Sequence, residues 1–594
     1  MLPITRFPWL ALAITLILAL GPVAAHADWL PNGSPIAGQD TEDQWPSTMV
    51  SDGTGGAIVG WGELDLHASR LTQSGDIAPG WPADGTLLQW GSHYAFFPLT
   101  VADGFGGAFV VFSAKDCMAH CGPDPTELRA QRVTAGGVIA KGWGPNGVSV
   151  GSGFGPEPAR SLDYGNTVAI PDGRGGVIVV WSSRVNRDGR GPVELRAQRI
   201  DGSGTLRWGD AGRLVRSTTP HPFLQAAAPD GDGGAILFWQ DERSPGLFAQ
   251  HLSRSGSDRW TTNGIPVPRA GFTSLSRPAA IEDGSHGAIV AWVGTAARDS
   301  GIFASRVTCG GGLPWREPVR VLDAASGIDS LRMVPVRGGA ILAWRDSRGS
   351  TGEAVFAQRI GRDGRTQWPS GGAPVCTATG HKDYLALAPD GRDGAYFAWG
   401  DTRPAGEVFA THLEGDGEPV RGWPRDGAPV CAPVASVWAV QLVSDGAGGA
   451  IVAWTDDRHT FGQGFPLRTT LAMRLLRGGV AMPPAARTPA PRAVSLTAPV
   501  ESKSASPAFA LRGMQPNPGS HGSLVRFALP DDTPATLELF DTAGRRLWSR
   551  DVGGLGVGEH AVRLCDGAWL PPGIYLTRLV QGMRVATARI AVIR

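Results

Sequence analysis

A tight glycine turn feeding an unbroken apolar run that ends on an aromatic recurs eight times along the chain. Its clearest copy is Asp445-Gly-Ala-Gly-Gly-Ala-Ile-Val-Ala-Trp454, and the terminal aromatic falls at Trp61, Phe112, Trp181, Trp239, Trp292, Trp344, Trp399 and Trp454. Runs that are apolar at every position, not alternating, are what a strand needs when its sheet is packed between two others. A repeat of this length marks an architecture in which each unit buries its apolar surface against its neighbours.

Each aromatic is followed by a segment of the form Ala-x-(Arg/His)-aliphatic, beginning at Ala68, Ala130, Ala197, Ala249, Ala304, Ala357, Ala410 and Ala472. A second tryptophan with a Gly- or Pro-containing turn behind it then appears at Trp81, Trp143, Trp208, Trp260, Trp315, Trp368 and Trp423. The eighth copy is missing after Ala472 and stands instead near the N-terminus, as Trp29-Leu-Pro-Asn-Gly-Ser-Pro-Ile36. The repeat is therefore cut in mid-unit. That arrangement suits a closed ring, in which one unit is assembled from both chain ends and no capping repeat is needed. Within one unit, 383–389, 395–399, 408–413 and 428–431 read as four short strands separated by turn residues, one blade of a propeller. The expected fold is all-β: an eight-bladed β-propeller over 28–477 closed by the N-terminal strand, followed by a small Ig-like β-sandwich.

Beyond Gly479 the texture changes. Residues 478–507 are rich in Pro, Ala and Ser, the composition of an extended linker, and 508–594 carry about seven alternating strands, which indicates a β-sandwich. At the other end, Arg6, an apolar stretch through Leu20 and the small-x-small triplet Ala25-His26-Ala27 read as a secretory signal over 1–27. The mature chain is expected to start near Asp28, with no transmembrane segment after cleavage, and to work outside the cell or on the bacterial outer surface, with the periplasm as transit or alternative.

Composition changes the picture in two ways. Of 21 Trp, the repeat accounts for most, so their number needs no aromatic ligand platform. Charge is balanced at 54 basic and 54 acidic residues, which leaves no electrostatic footprint for nucleic acid. Cys117 and Cys121 are close enough for a small local disulfide. Cys376 and Cys431 hold equivalent places on successive blades, too far apart to bridge, and Cys309 and Cys565 have no evident partner.

The C-terminal segment resembles the immunoglobulin-like domain of flagellar hook-capping proteins and is similar to the C-terminal sorting domain of type IX secretion cargo. Asn517-Pro518, Leu529-Pro530, Leu539-Phe-Asp541-Thr-Ala-Gly544, Gly558-Glu-His560 and Pro572-Gly573-Ile-Tyr575 carry the pattern, and Leu564-Cys-Asp-Gly567 departs from the Trp-Asp-Gly turn usual there. The resemblance implies a domain read by secretion or sorting machinery; otherwise it is a structural appendage. The blades, as in Ala357-Gln-Arg-Ile-Gly-Arg-Asp-Gly364-Arg-Thr-Gln-Trp368, resemble the tryptophan-docking repeat of eight-bladed quinoprotein propellers and of related non-catalytic assembly propellers. The adjacent cysteine pair of the quinone enzymes is absent, which argues against that enzyme.

Candidate chemistry competes with the repeat itself. Trp-x-Asp-x-Arg occurs at Trp239/Asp241/Arg243, Trp344/Asp346/Arg348, Trp399/Asp401/Arg403 and Trp454/Asp456/Arg458. A carboxylate positioned for acid/base work is one reading; blade stabilisation by turn hydrogen bonds and a local ion pair is the expected one. Arg70, Arg132, Arg199, His251, Arg306, Arg359, His412 and Arg474 share one repeat position, expected to be a structural ladder. Asp230-Gly-Asp232 lacks the later acid of a calcium loop, and His120 with Cys117 and Cys121 lacks a fourth zinc ligand. No catalytic, cofactor-binding or metal residue is therefore assigned, and no cofactor is expected. The preferred function is a non-enzymatic binding protein for a surface glycan or protein ligand. The competitor is a carbohydrate-active hydrolase or lyase using Asp116, His120, Asp124, Glu127, Glu157 and Asp163 of the non-repeated insertion 113–166.

Overall fold

In every blade but the sixth, the Asp that opens the glycine turn folds it. In Asp52-Gly-Thr-Gly-Gly56, Asp52 Oδ1 accepts the amides of Thr54 and Gly56, both at 2.8 Å, and Asp445 does the same for Ala447 and Gly449. Side-chain acceptance of backbone donors two and four residues on is the Asx-type closure that fixes such turns. The turn sends the chain directly into the apolar second strand, as at Ala57–Trp61 and Ala395–Asp401, where every described residue is buried.

The computed structural model describes residues 29–480 and 509–592 apart from 31, 38–45, 63–64, 90–92, 117–126, 152–160, 163–166, 185–192, 219–221, 242–245, 269–270, 272–273, 297–298, 325–326, 350–351, 404–406, 432–435, 462–464, 516–523, 532, 542–544, 564–572 and 583. The expected signal peptide, most of the expected linker, Cys117, His120, Cys121 and Cys565 lie outside those residues.

Eight antiparallel sheets form the propeller, their strands in chain order except that the last blade takes its outer strand from the N-terminal end of the chain. Their first strands are Pro46–Ser51, His93–Ala102, Val168–Pro171, Pro222–Pro229, Ser274–Glu282, Asp329–Val336, Lys382–Pro389 and Val437–Ser444, which number the blades 1 to 8. Each first strand touches the next, and that of blade 8 touches that of blade 1, so the ring is closed. The first strands of blades 1, 2, 3, 7 and 8 line a cavity of about 400 Å³ with apolar residues such as Met49, Val101, Pro171, Leu387 and Leu442.

Blade 8 is built from both ends of the chain. Its third strand, Phe465–Leu476, pairs with Ser34–Pro35 in the register Ser34 to Ala472 and Pro35 to Leu471. Gly33 takes φ +100°, and a Cβ there would stand 2.8 Å from the Trp454 indole, so only glycine fits where the N-terminal segment crosses that ring. The same third strand also pairs with Gly479–Val480. The propeller thus runs slightly past 477, because the chain turns back at Gly478 before leaving the blade.

Tryptophan docking joins the blades. Trp29 Nε1 donates to the carbonyl of Gln73 in blade 1 at 2.9 Å, and Trp81, Trp143, Trp208, Trp260, Trp315, Trp368 and Trp423 donate to Ala135, Gly202, Arg254, Cys309, Arg362, Gly415 and Arg477 of the following blade, all within 2.9 to 3.1 Å. The receiving turn must come close. A Cβ on Gly75, at φ +87°, would meet the Trp29 ring at 2.8 Å.

Residues 488–594 form a second compact unit. Strands Ala510–Gln515, Leu524–Leu529 and Gly558–Arg563 make one sheet; Ala535–Phe540, Arg546–Asp551, Gly573–Gln581 and Arg584–Val592 make the other. Val525, Phe527 and Val562 from the first meet Leu537, Leu539, Leu579 and Ile590 from the second in one core, the layering of a β-sandwich.

Trp29→Ala is expected to cost about 3–5 kcal/mol, the range for truncating a buried Trp, and deleting 28–37 is expected to lower the melting temperature and promote aggregation through the bared strand edge. Calorimetry and light scattering check both; a deletion that melts like the parent would show that the seam does not hold the ring.

Candidate functional site

The repeated charges are consumed by the blades. Asp Oδ2 of each glycine turn meets the basic residue of the third strand: Arg70 with Asp52, Arg132 with Asp103, Arg199 with Asp172, His251 with Asp230, Arg306 with Asp283, His412 with Asp390 and Arg474 with Asp445, at 2.6 to 3.0 Å. Blade 6 turns through Val336-Arg-Gly-Gly339 without an Asp, and Arg359 reaches Asp393 of blade 7 at 3.1 Å instead. In several blades the basic residue also shares the docking carbonyl: Ala135 O accepts both Trp81 Nε1 and Arg70 Nη1, at 3.0 and 2.8 Å.

Burial works to raise the pKa of Asp52, but the Thr54 and Gly56 hydrogen bonds and Arg70 outweigh it and leave the carboxyl below its ordinary 3.8. Asp230 and Asp390 follow the same pattern, with burial opposed chiefly by His251 and His412.

The Asp of Trp-x-Asp also serves its own blade. Trp344, Trp399 and Trp454 donate Nε1 to Asp346, Asp401 and Asp456 at 2.9 to 3.0 Å. Blade 5 has Gly294 at that position, and Trp292 Nε1 is buried with no hydrogen-bond partner among the described residues. Asp401 further accepts Arg403 Nε at 2.9 Å and lies 3.7 Å from the buried Lys382 Nζ. Asp230 and Asp232 do not converge on a cation: the first holds His251 and the second Arg174. Among the described residues no cluster of His, Cys, Asp or Glu is arranged to hold a metal. The side chains of Asp116, Asp241, Arg348 and Arg458, and residues His120, Asp124, Glu157, Asp163 and Arg243, lie outside the described residues; Glu127 pairs with Arg129 at 2.6 Å. Cys376 and Cys431 are buried and Cys309 is exposed.

What breaks the eightfold pattern is a cleft of about 830 Å³ across the seam of blades 3 and 4, on the face that carries the glycine turns. Arg174, Arg199, Arg207, Arg254 and Arg259 line it, against Asp201. Asp201 opens the turn after the third strand of blade 3, accepting the amides of Ser203 and Thr205. Burial pushes its carboxyl up, but those bonds, the Ser203 hydroxyl and Arg207 bring it down to about 2. Arg207 is thereby pinned to Asp201, and Arg174 to Asp232 across the seam.

Sequence reasoning missed this cleft. Its signal was a departure from the repeat: Arg207 and Arg259 stand where the other blades have Ala78, Ala140, Pro314, Gln367 and Val420.

On the opposite face, Arg345 of blade 6 donates to Asp329 and to Asp383 of blade 7, each at 2.8 Å, with Glu353 3.4 Å away. The first strands of blades 1, 2 and 4 to 8 all bulge at this end, a feature of the repeat, and in blades 6, 7 and 8 Ser330, Tyr384 and Ala439 take positive φ of 51° to 55°.

No protein-family model matches the sequence, and no curated protein matches it either. Solved structures that align with it include a protein of unknown function from Dyadobacter fermentans (10% identity, TM-score 0.33, 65% of this chain and 96% of that one), a polysaccharide lyase of a new family described as an ulvan lyase (12%, 0.36, 56% and 84%), and a xylan β-1,4-xylosidase from Bacillus halodurans (11%, 0.26, 62% and 90%). Likeness at this level assigns neither activity nor ligand to this chain.

Asp401→Asn is expected to destabilise by about 3–5 kcal/mol, because it strips a buried lysine of its counter-charge, and Asp456→Asn by about 1–3 kcal/mol, because it weakens the buried acceptor of the Trp454 indole. Denaturant titration measures both; unchanged stability in either would refute the blade role. A second expectation concerns acid. Asp52, Asp230 and Asp390 titrate lower folded than unfolded, so their stabilisation is complete above about pH 5 and is lost as pH falls through the ordinary carboxylate range and below. Melting temperatures between pH 7 and pH 3 should be level at first and then fall; a flat profile would contradict the assignment.

Proposed function

We propose that the protein is an exported, non-enzymatic binding protein, in which the propeller presents a ligand site and the C-terminal β-sandwich, with its Ig-like sequence pattern, delivers or tethers the chain at the cell surface through sorting machinery. One observation carries the binding half: the repeated acids and bases are committed to blade closure, and the arginine cleft at the seam of blades 3 and 4 departs from the repeat. A site needs asymmetry, and this is where the asymmetry lies. The delivery half rests on the signal-like N-terminus, the Pro/Ala/Ser-rich linker and the resemblance of 508–594 to sorting domains.

A second reading is a hydrolase or lyase acting on polysaccharide. The Arg345 cluster favours it, since Asp329, Glu353 and Asp383 bring carboxylates together at a bulged rim, and general acid/base chemistry needs positioned carboxylates.

Purified mature chain applied to a glycan array and to a depolymerisation screen separates the two. Binding without new reducing ends or unsaturated products is expected; turnover abolished by Glu353→Gln would establish the enzyme. A chain truncated after Arg487 is expected to fold, to keep the propeller's binding and to accumulate in the periplasm of its host. Normal surface delivery of that truncated chain would reduce the C-terminal unit to a structural appendage.

A further inference from the structure

The cleft across blades 3 and 4 has a division of labour among its arginines. Arg199 is buried against Asp172 at 2.7 Å and belongs to the blade. Arg174 and Arg207 are held by single carboxylates at the walls. Arg254 and Arg259, at the two ends of the turn after the third strand of blade 4, are exposed, and no hydrogen bond or ion pair engages either guanidinium among the described residues. Between them run the hydroxyls of Ser253, Ser255 and Ser257, spaced 2.9 and 3.2 Å apart.

Two unneutralised guanidinium forks facing a cavity are suited to planar or tetrahedral oxyanions, which they grip bidentately. Net charge does not produce this positive potential, because the whole chain is neutral; it is local. The cavity is also far larger than one inorganic anion and falls in the range of organic ligand sites. A row of hydroxyls between the arginines suits a ligand carrying its own hydroxyls. The lining holds no aromatic side chain on which a nucleobase would stack.

We infer that this cleft binds an acidic saccharide, its sulfate or carboxylate groups held by Arg254 and Arg259 and its ring hydroxyls by the Ser253, Ser255 and Ser257 row. The inference deepens the binding-protein reading above, and the two fail separately: turnover of a glycan at the opposite rim would refute the first while leaving this cleft's binding intact.

The experiment is titration of the full mature chain with dextran sulfate, polygalacturonate, neutral dextran, polyglutamate and duplex DNA at low and moderate salt. Binding of at least one acidic saccharide is expected, weakening with salt and absent for neutral dextran. Arg254→Ala/Arg259→Ala should lower its affinity roughly tenfold or more without moving the melting temperature. Arg362→Ala, at the position in blade 6 equivalent to Arg254, should leave it unchanged. Should the alanine pair melt early, Arg254→Lys/Arg259→Lys serves instead, keeping charge and losing the bidentate grip, with an intermediate affinity expected. Unchanged affinity in the double variants, no binding of either acidic saccharide, or equal arginine-dependent binding of polyglutamate or DNA would overturn the assignment.

Discussion

One backbone carbonyl per blade holds the ring together. It sits in the turn after the third strand, receives the indole N–H of the preceding blade's docking tryptophan, and in blades 2, 3, 5 and 7 also receives that blade's Arg or His. A carbonyl has two lone pairs, and at these seams both are used. Except in blade 6, where Arg359 pairs with Asp393 of blade 7, the basic residue in turn closes on the Asp of its own glycine turn, so one chain of contacts runs from the turn of one blade to the turn of the next. Removing any member leaves buried polar groups unmatched, which is costlier than the bond is worth.

The same network limits where function resides. Charges arranged with eightfold regularity are already neutralised, Asp by Arg and Arg by Asp, and carry little field into solvent. Ligand chemistry has to come from positions that the repeat leaves open. Two such places are described: the arginine cleft on the turn face, and the Arg345 carboxylate cluster on the other.

The blades were legible in the sequence because their period is long, their glycines and tryptophans are large signals, and Trp29 stood conspicuously out of place. The partner of the third-strand Arg was not. It lies some twenty residues upstream in the glycine turn, and only the antiparallel pairing of second and third strands brings Asp52 to Arg70. The cleft was illegible for a different reason. Arg207 and Arg259 are ordinary turn residues in their own blades and become a site only because Trp208 docks one turn against the other, with its indole bonded to Arg254 O. Had the copies been compared position by position, the two arginines would have stood out as exceptions.

The seam in blade 8 has a kinetic consequence. Ser34 pairs with Ala472, so closing the ring joins points roughly 440 residues apart, at a loop entropy of roughly 5 kcal/mol on a (3/2)RT ln n scale. Contacts of such sequence separation form late. Until they do, the chain is an open arc with the flanks of blades 1 and 8 bare, and the same two flanks separate first when the ring opens. Folding of this protein is therefore a race between intramolecular closure and the pairing of one open arc with another.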